Sequence, residues 1–222
     1  MTNLQSFQFN AFQENTYLVW DQQKNCVVID PGCYLRDEQM ELISFIEEND
    51  LKIAALLNTH AHIDHVLGNQ FILNNFEVDY YLHPDDLKVL QSVESYAHLY
   101  GFESYQVSPQ PTKSLVHNQK LIFGELEMTV LHTPGHAPGH VVFYFEKENF
   151  VVNGDVLFRG SFGRVDLPGG NIETLKESIF NILFKLPEET VVYCGHGPQT
   201  TIGIEKKTNY ILLQINLIFL YK

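Results

Sequence analysis

Thr59-His60-Ala61-His62-Ile63-Asp64-His65 places three imidazoles and a carboxylate within six residues, directly after the apolar run Ile53-Ala54-Ala55-Leu56-Leu57. Imidazole and carboxylate are ligands for Zn²⁺ and similar ions, and on an extended segment alternate side chains project together, so His60 and His62 share a side. Where the chain then turns into a helix, Asp64 and His65 address a different point. A catalytic zinc site usually takes three protein ligands and keeps one position open, so further donors have to arrive from distant strand ends. Three stand at the ends of other apolar runs: His136 in His132-Thr133-Pro134-Gly135-His136, Asp155 after Val151-Val152-Asn153-Gly154, and His196 in Tyr193-Cys194-Gly195-His196-Gly197. Glycines beside all three let the backbone come close to a central object.

The rest of the composition narrows the field. The 222 residues, 45% hydrophobic and 18% charged, suit one domain, read here as a single unit over 1–222 with no separate C-terminal helical domain. With 27 acidic against 14 basic residues, a net charge of -13 offers no footprint for nucleic acid or an anionic membrane surface. Cys26, Cys33 and Cys194 form no CxxC, so neither a disulfide framework nor a thiolate metal site is indicated, and with no signal peptide visible a reducing, cytoplasmic setting is expected. The apolar stretch Tyr210 to Tyr221 is shorter than the roughly 20 residues that span a bilayer. It is read either as a buried last element or as a homodimer contact.

Pattern predicts strands at Asn15–Trp20, Cys26–Ile29, Ile53–Asn58 and Val78–Leu82, with helices between them: one capped by Asp37, one from Asp64 to Asn74, and one over Pro84–Tyr100. Val107–His117 reads as a loop. Consecutive strands follow near 121–123, 128–131, 141–145 and 150–152, then a helix capped by Asn171 and a strand at 191–193. Strand runs on either side of the middle, with helices beside each, predict two sheets face to face with helices outside, a layered α/β arrangement.

These residues resemble the metallo-β-lactamase superfamily and, within it, the glyoxalase II-like hydrolases of acyl-glutathione thioesters. The matching stretches are THAHIDH at Thr59–His65, HTPGHAPGH at His132–His140, GDVLF at Gly154–Phe158, GRVDLPGG at Gly163–Gly170 and GHGPQTTIG at Gly195–Gly203. The resemblance implies a four-layer αββα sandwich with the site at one edge. It also implies two divalent metal ions, zinc first with iron or manganese as alternatives. His60, His62 and His136 would hold one, Asp64, His65 and His196 the second, and Asp155 would bridge them. Asp30, a turn carboxylate on its own reading, would by the resemblance brace the histidine loop, and Arg164 would contact a substrate carboxylate, the alternative being a surface arginine closing a salt bridge in an acidic protein. His132 and His140 flank a ligand within the motif and are read either as hydrogen-bonding behind the ligands or as packing residues. His83, His98 and His117 are read as surface or loop residues.

The expected activity is hydrolysis of a small thioester such as 2-hydroxyacyl-glutathione, by attack of a metal-bridging hydroxide with Asp64 orienting it and taking its proton. The alternative is a persulfide dioxygenase-like oxidoreductase with one iron on His60, His136 and Asp155. An exported β-lactamase conflicts with the absence of a signal, and a nuclease conflicts with the acidic charge.

Overall fold

A computed structural model describes residues 2–213. The first sheet runs β1 (Asn3–Phe9), β2 (Glu14–Trp20), β3 (Asn25–Ile29), β4 (Lys52–Leu57), β5 (Asp79–Leu82) and β6 (Lys113–Ser114) in spatial order. Its connections carry α1 (Arg36–Glu48), α2 (Ile63–Val66), α3 (Asn69–Asn75) and α4 (Leu87–Tyr96). The second half adds β7 (Lys120–Phe123), β8 (Leu126–His132), β9 (Val141–Phe145) and β10 (Phe150–Gly154). After these come a hairpin of β11 (Leu157–Phe158) and β12 (Ser161–Phe162), then α5 (Ile172–Asn181), β13 (Val191–Cys194), β14 (Thr200–Thr201) and α6 (Ile202–Thr208). The second sheet has the order β14-β13-β10-β9-β8-β7.

Side-chain alternation in the strands produces three apolar layers. Cys26 and Val28 of β3 and Leu18 of β2 face outward into a core with Leu42, Ile46, Leu90 and Val93 of the helices. Val27, Ile29, Tyr17 and Val19 face inward, against Met128, Val130, Phe143 and Val152 of the second sheet. On the far side Val142, Val151 and Val192 meet Leu175, Ile179 and Leu183. Three cores separate four layers, so the fold is the α/β, four-layer αββα sandwich of the metallo-β-lactamase type. Strands covered on both faces read as continuous apolar runs, which is why Cys26–Ile29 and Ile53–Leu57 show no polar alternation.

The parallel pairs β3–β4, β4–β5 and β10–β13 bring the carboxyl ends of β3, β4, β10 and β13 to one edge, and the histidine loops leave from there. Asn15 clasps the two sheets at that edge: its amide donates to Cys194 O (3.0 Å) and Gly197 O (2.9 Å).

Local expectations are corrected in four places. Asp37 does not cap α1; Glu38 does, its Oε2 accepting from Tyr34 N and Leu35 N at 2.8 Å each. The helix expected over Asp64–Asn74 is two, broken at Leu67-Gly68, because the Gly68 N–H donates to Pro31 O (2.7 Å). The helical stretch at Pro84–Tyr100 is α4 flanked by single 3₁₀ turns, and the Val107–His117 loop contains the short β6. β1 carried no distinct pattern and went unread. At the C-terminus Tyr210–Leu212 form a 3₁₀ turn with Ile211 buried, and the apolar run Ile215–Tyr221 lies outside the described residues. Among the described residues no helix is long and apolar enough to cross a membrane.

A Cβ at Gly68 would stand 2.6 Å from Cys33 Sγ and 2.8 Å from Pro31 O. Gly68→Ala is therefore expected to cost about 1–3 kcal/mol by overpacking, read as a lower urea midpoint at unchanged slope on chelated protein. An unchanged midpoint would show that the turn has room to give.

Candidate metal centre

Seven donors predicted from separate stretches meet at the sheet edge. His60, His62 and His136 offer ring nitrogens within 4.8 Å of one another, and beside them a carboxylate oxygen of Asp64 and ring nitrogens of His65 and His196 lie equally close together. Asp155 lies between the groups: Oδ2 is 3.6 Å from His136 Nε2 and 3.5 Å from His196 Nε2, while Oδ1 is 3.5 Å from His65 Nε2. The residues leave successive strand ends, His60 and His62 after β4, Asp155 after β10 and His196 after β13. α2 turns Asp64 and His65 toward the second group.

Each imidazole is oriented by what its other nitrogen touches. His65 Nδ1 is 3.1 Å from Asp30 Oδ2, and His136 Nδ1 donates to Arg164 O (2.7 Å). His196 Nδ1 donates to Phe12 O (3.1 Å). Thr59 Oγ1 donates to Asp30 Oδ2 (2.5 Å) and so receives the proton of His60 Nδ1 at 3.0 Å. These outer contacts leave Nε2 of all four rings aimed inward. His62 differs, presenting Nδ1 at 2.8 Å from His136 Nε2.

A cation fits this donor set. His60 Nε2, His65 Nε2 and Asp155 Oδ1 are buried without a hydrogen-bond partner, a state that costs several kcal/mol unless something satisfies them. Burial holds His60, His62 and His136 below the usual imidazole range, the neutral form a metal requires. Burial also opposes charge on His65 and His196, but Asp64 and Asp155 outweigh it, raising His65 and lifting His196 to about 10. The same pairs hold Asp155 and Asp64 low against the upward effect of burial. A Cβ at Gly195 would collide with Asp155 Oδ1, so the strand turn there has to be glycine.

The outer residues divide. Asp30 braces the loop as expected, and His140 lies behind the site, its Nε2 accepting from Asp155 N (3.0 Å) while its ring stacks on His60. His132 donates to Pro138 O (3.1 Å). His83 has more context than its expected surface position, since it stacks on His132 at 4.1 Å and 7°. Parallel rings keep their in-plane lone pairs from converging, so the cluster of His83, Asp85 and His132 is poor metal geometry. The Arg164 guanidinium, expected at a substrate, makes a two-point pair with Asp166, Nε to Oδ1 and Nη2 to Oδ2 at 2.7 Å each.

Two buried carboxyls escaped the sequence reading. Asp86 stitches the histidine loops together, accepting from Ala61 N (2.8 Å) and Gly139 N (2.6 Å), and burial lifts it to about 6 against those bonds. In sequence it passes for an ordinary helix-start acid. Glu14, wholly buried with Oε1 3.9 Å from His65 Nδ1, is pushed well up by burial. An acid opening an apolar strand was its one signal.

The sandwich and the histidine–aspartate edge define a metallo-hydrolase class, and comparison agrees: the profile of the Metallo-beta-lactamase superfamily matches residues 9–196, and the chain belongs to that superfamily. It is similar to the hydroxyacylglutathione hydrolase GloC of Haemophilus influenzae, 36% identical over 211 residues covering 95% of this chain and 98% of the relative. Among solved structures it resembles the BLEG-1 B3 metallo-beta-lactamase, at TM-score 0.85 and 35% identity over 95% of this chain and 99% of that one. It also resembles TTHA1623 in a di-iron-bound form, at TM-score 0.83 and 39% identity over 93% and 98%.

Asp86→Ala would leave two buried N–H groups unpaired, so a stability loss of about 1–3 kcal/mol and weaker metal retention are expected. Asp85→Ala, at the exposed neighbouring position, should stay within about 0.5 kcal/mol of the parent. Thermal melts and metal analysis of both variants check the contrast; equal behaviour would remove the stitching role.

Proposed function

We propose that the protein is a dinuclear metal-dependent hydrolase of small thioesters, of which 2-hydroxyacyl-glutathione is the type. The observation that carries this is Asp155, one carboxylate engaging both donor groups. A mononuclear iron dioxygenase on His60, His136 and Asp155 would leave His62, Asp64 and His196 without a task at the same centre. Zinc is the first choice of metal, with iron next, given the di-iron-bound neighbour, and manganese after it. The similarity to a hydroxyacylglutathione hydrolase supports the substrate class.

Divalent ions held there would bring the pKa of a water to about 7 and polarise the thioester carbonyl. The chain's own residues do the rest. Asp64 stays ionised, its Oδ2 3.1 Å from His196 Nε2, and is placed to orient the attacking water and accept its proton. None of the cysteines is a nucleophile: all are buried, and burial pushes the Cys194 thiol up to about 12 and Cys26 and Cys33 further. Direct attack by water is therefore the route the site supports. A thiolate departs without a strong general acid, so neutral His62 and His136 are no obstacle to this reaction.

Protein purified without added metal and then loaded with zinc is expected to hold two equivalents and to hydrolyse acyl-glutathione. His62→Ala and His196→Ala should each lose more activity than the roughly 10–100-fold that loss of an outer hydrogen bond causes. A single equivalent with full activity in His196→Ala would overturn the dinuclear reading.

Asp155→Ala should empty both positions, whereas Asp64→Asn should keep more metal and mainly lower kcat. Equal metal loss in the two variants would deny Asp155 a bridging role.

A further inference from the structure

A cavity of about 1240 Å³ opens over the metal centre, with His62, Asp64, His136, Asp155 and His196 at its floor. One wall is a single face of α4, since Lys88, Ser92 and Tyr96 recur at four-residue spacing while Leu90 and Val93 point into the core. The helix crosses the site. Its start is tied to the His60–His62 loop through Asp86 and Ala61 N. At its other end Tyr96 lines the cavity on the same face as Lys88 and Ser92.

The two ends of this wall differ in chemistry. Arg164 and Lys88 are the cavity's cations, and Arg164 is already neutralised by Asp166. The Lys88 ammonium has no ion pair or hydrogen bond among the described residues. The nearby Asp85 carboxylate faces His83 Nδ1 at 3.8 Å. Lys88 also sits in the first turn of α4, where a cation opposes the helix dipole, so nothing in the fold itself explains its place. About 12 Å further along the helix, at 1.5 Å per residue, the cavity becomes aromatic. The Phe12 ring lies 5.7 Å from Tyr100, and Tyr100 lies 5.8 Å from Tyr96. Phe12 and Tyr100 are 40% and 49% exposed, large rings left at the mouth of a site with little else to cover them.

We infer that the cavity takes an amphipathic thioester lengthwise along α4, with a carboxylate at Lys88 and an apolar group among Phe12, Tyr96 and Tyr100. This deepens the thioester reading and rests on it for the word thioester. The chain carries a net charge of -13, so an anionic ligand is repelled in general and needs a local unpaired cation to seat it. Lys88 supplies that, whereas Arg164 would first have to leave Asp166.

Binding of unreactive thioethers to the zinc-loaded protein tests the assignment apart from hydrolysis. By calorimetry, S-benzyl-glutathione should bind more tightly than S-methyl-glutathione. Lys88→Gln, an exposed change, should weaken both by about two- to five-fold, the size of a partly solvated charge pair. Binding of S-benzyl-N-acetylcysteamine, which has no carboxylate, should not change. Raised salt should mimic the substitution for the glutathione ligands alone. Arg164→Gln should leave all three affinities unchanged. The inference is overturned if Lys88→Gln spares the glutathione ligands, if it weakens the neutral one equally, or if Arg164→Gln has the effect instead. If thioether binding behaves as expected but no thioester is turned over by the wild type, the hydrolase reading fails while the assignment of the wall stands.

Discussion

Four donors surround the carboxylate of Asp30 at the end of β3: Thr59 N at 2.7 Å, Thr59 Oγ1 at 2.5 Å, Asn58 Nδ2 at 3.2 Å and His65 Nδ1 at 3.1 Å. A buried carboxylate with fewer partners would cost several kcal/mol, so these contacts hold together or fail together. Asp30 reaches them from a left-handed backbone, φ 50°, which aspartate tolerates better than most residues and which turns its side chain toward β4. The parallel pairing of Ile29 with Leu57 sets the reach, leaving Asp30 and Thr59 just beyond the paired ends. A one-residue slip would put Thr59 on the wrong face and release both His60 and His65. The register of two strands thereby orients two imidazoles.

Charge is distributed unequally across the centre. His60, His62, His136 and the supporting His140 are kept neutral by burial. On the other side Asp64 and Asp155 draw protons onto His65 and His196. Asp155 stands at the boundary, which suits a group meant to serve both sides. In chemistry of this kind cations replace protons at the same nitrogens, so the carboxylates that stabilise the protonated pair also favour dications.

The fold and the donor set were legible for the same reason. His60 and His62 follow β4, Asp155 follows β10, His196 follows β13 and His136 lies in the loop after β8, and each of those strands carries an apolar run ended by a polar residue or glycine. The layer order followed from the grouping of those runs. What stayed hidden depends on contacts between distant segments. Asp86 is one of two adjacent acids, and its partners Ala61 N and Gly139 N are backbone groups with no sequence signature. The break at Gly68 arises from Pro31 O, a neighbour that helical periodicity does not register. The two-point pair of Arg164 with Asp166 is likewise a local geometry that side-chain spacing leaves open.

The floor and the wall of the cavity are built on different terms. The floor consists of strand ends locked by register and by buried hydrogen bonds, so its residues have little freedom to vary. The wall is one face of α4, held by Asp86 at its start and by Leu90 and Val93 on its opposite side. Substitution at positions 88 or 92, both exposed, changes what the cavity presents without disturbing any of those anchors, whereas Tyr96 also packs against the core. In such a design the floor fixes the donors, while Lys88, Ser92 and the aromatic rings along α4 set the chemistry of the space above them.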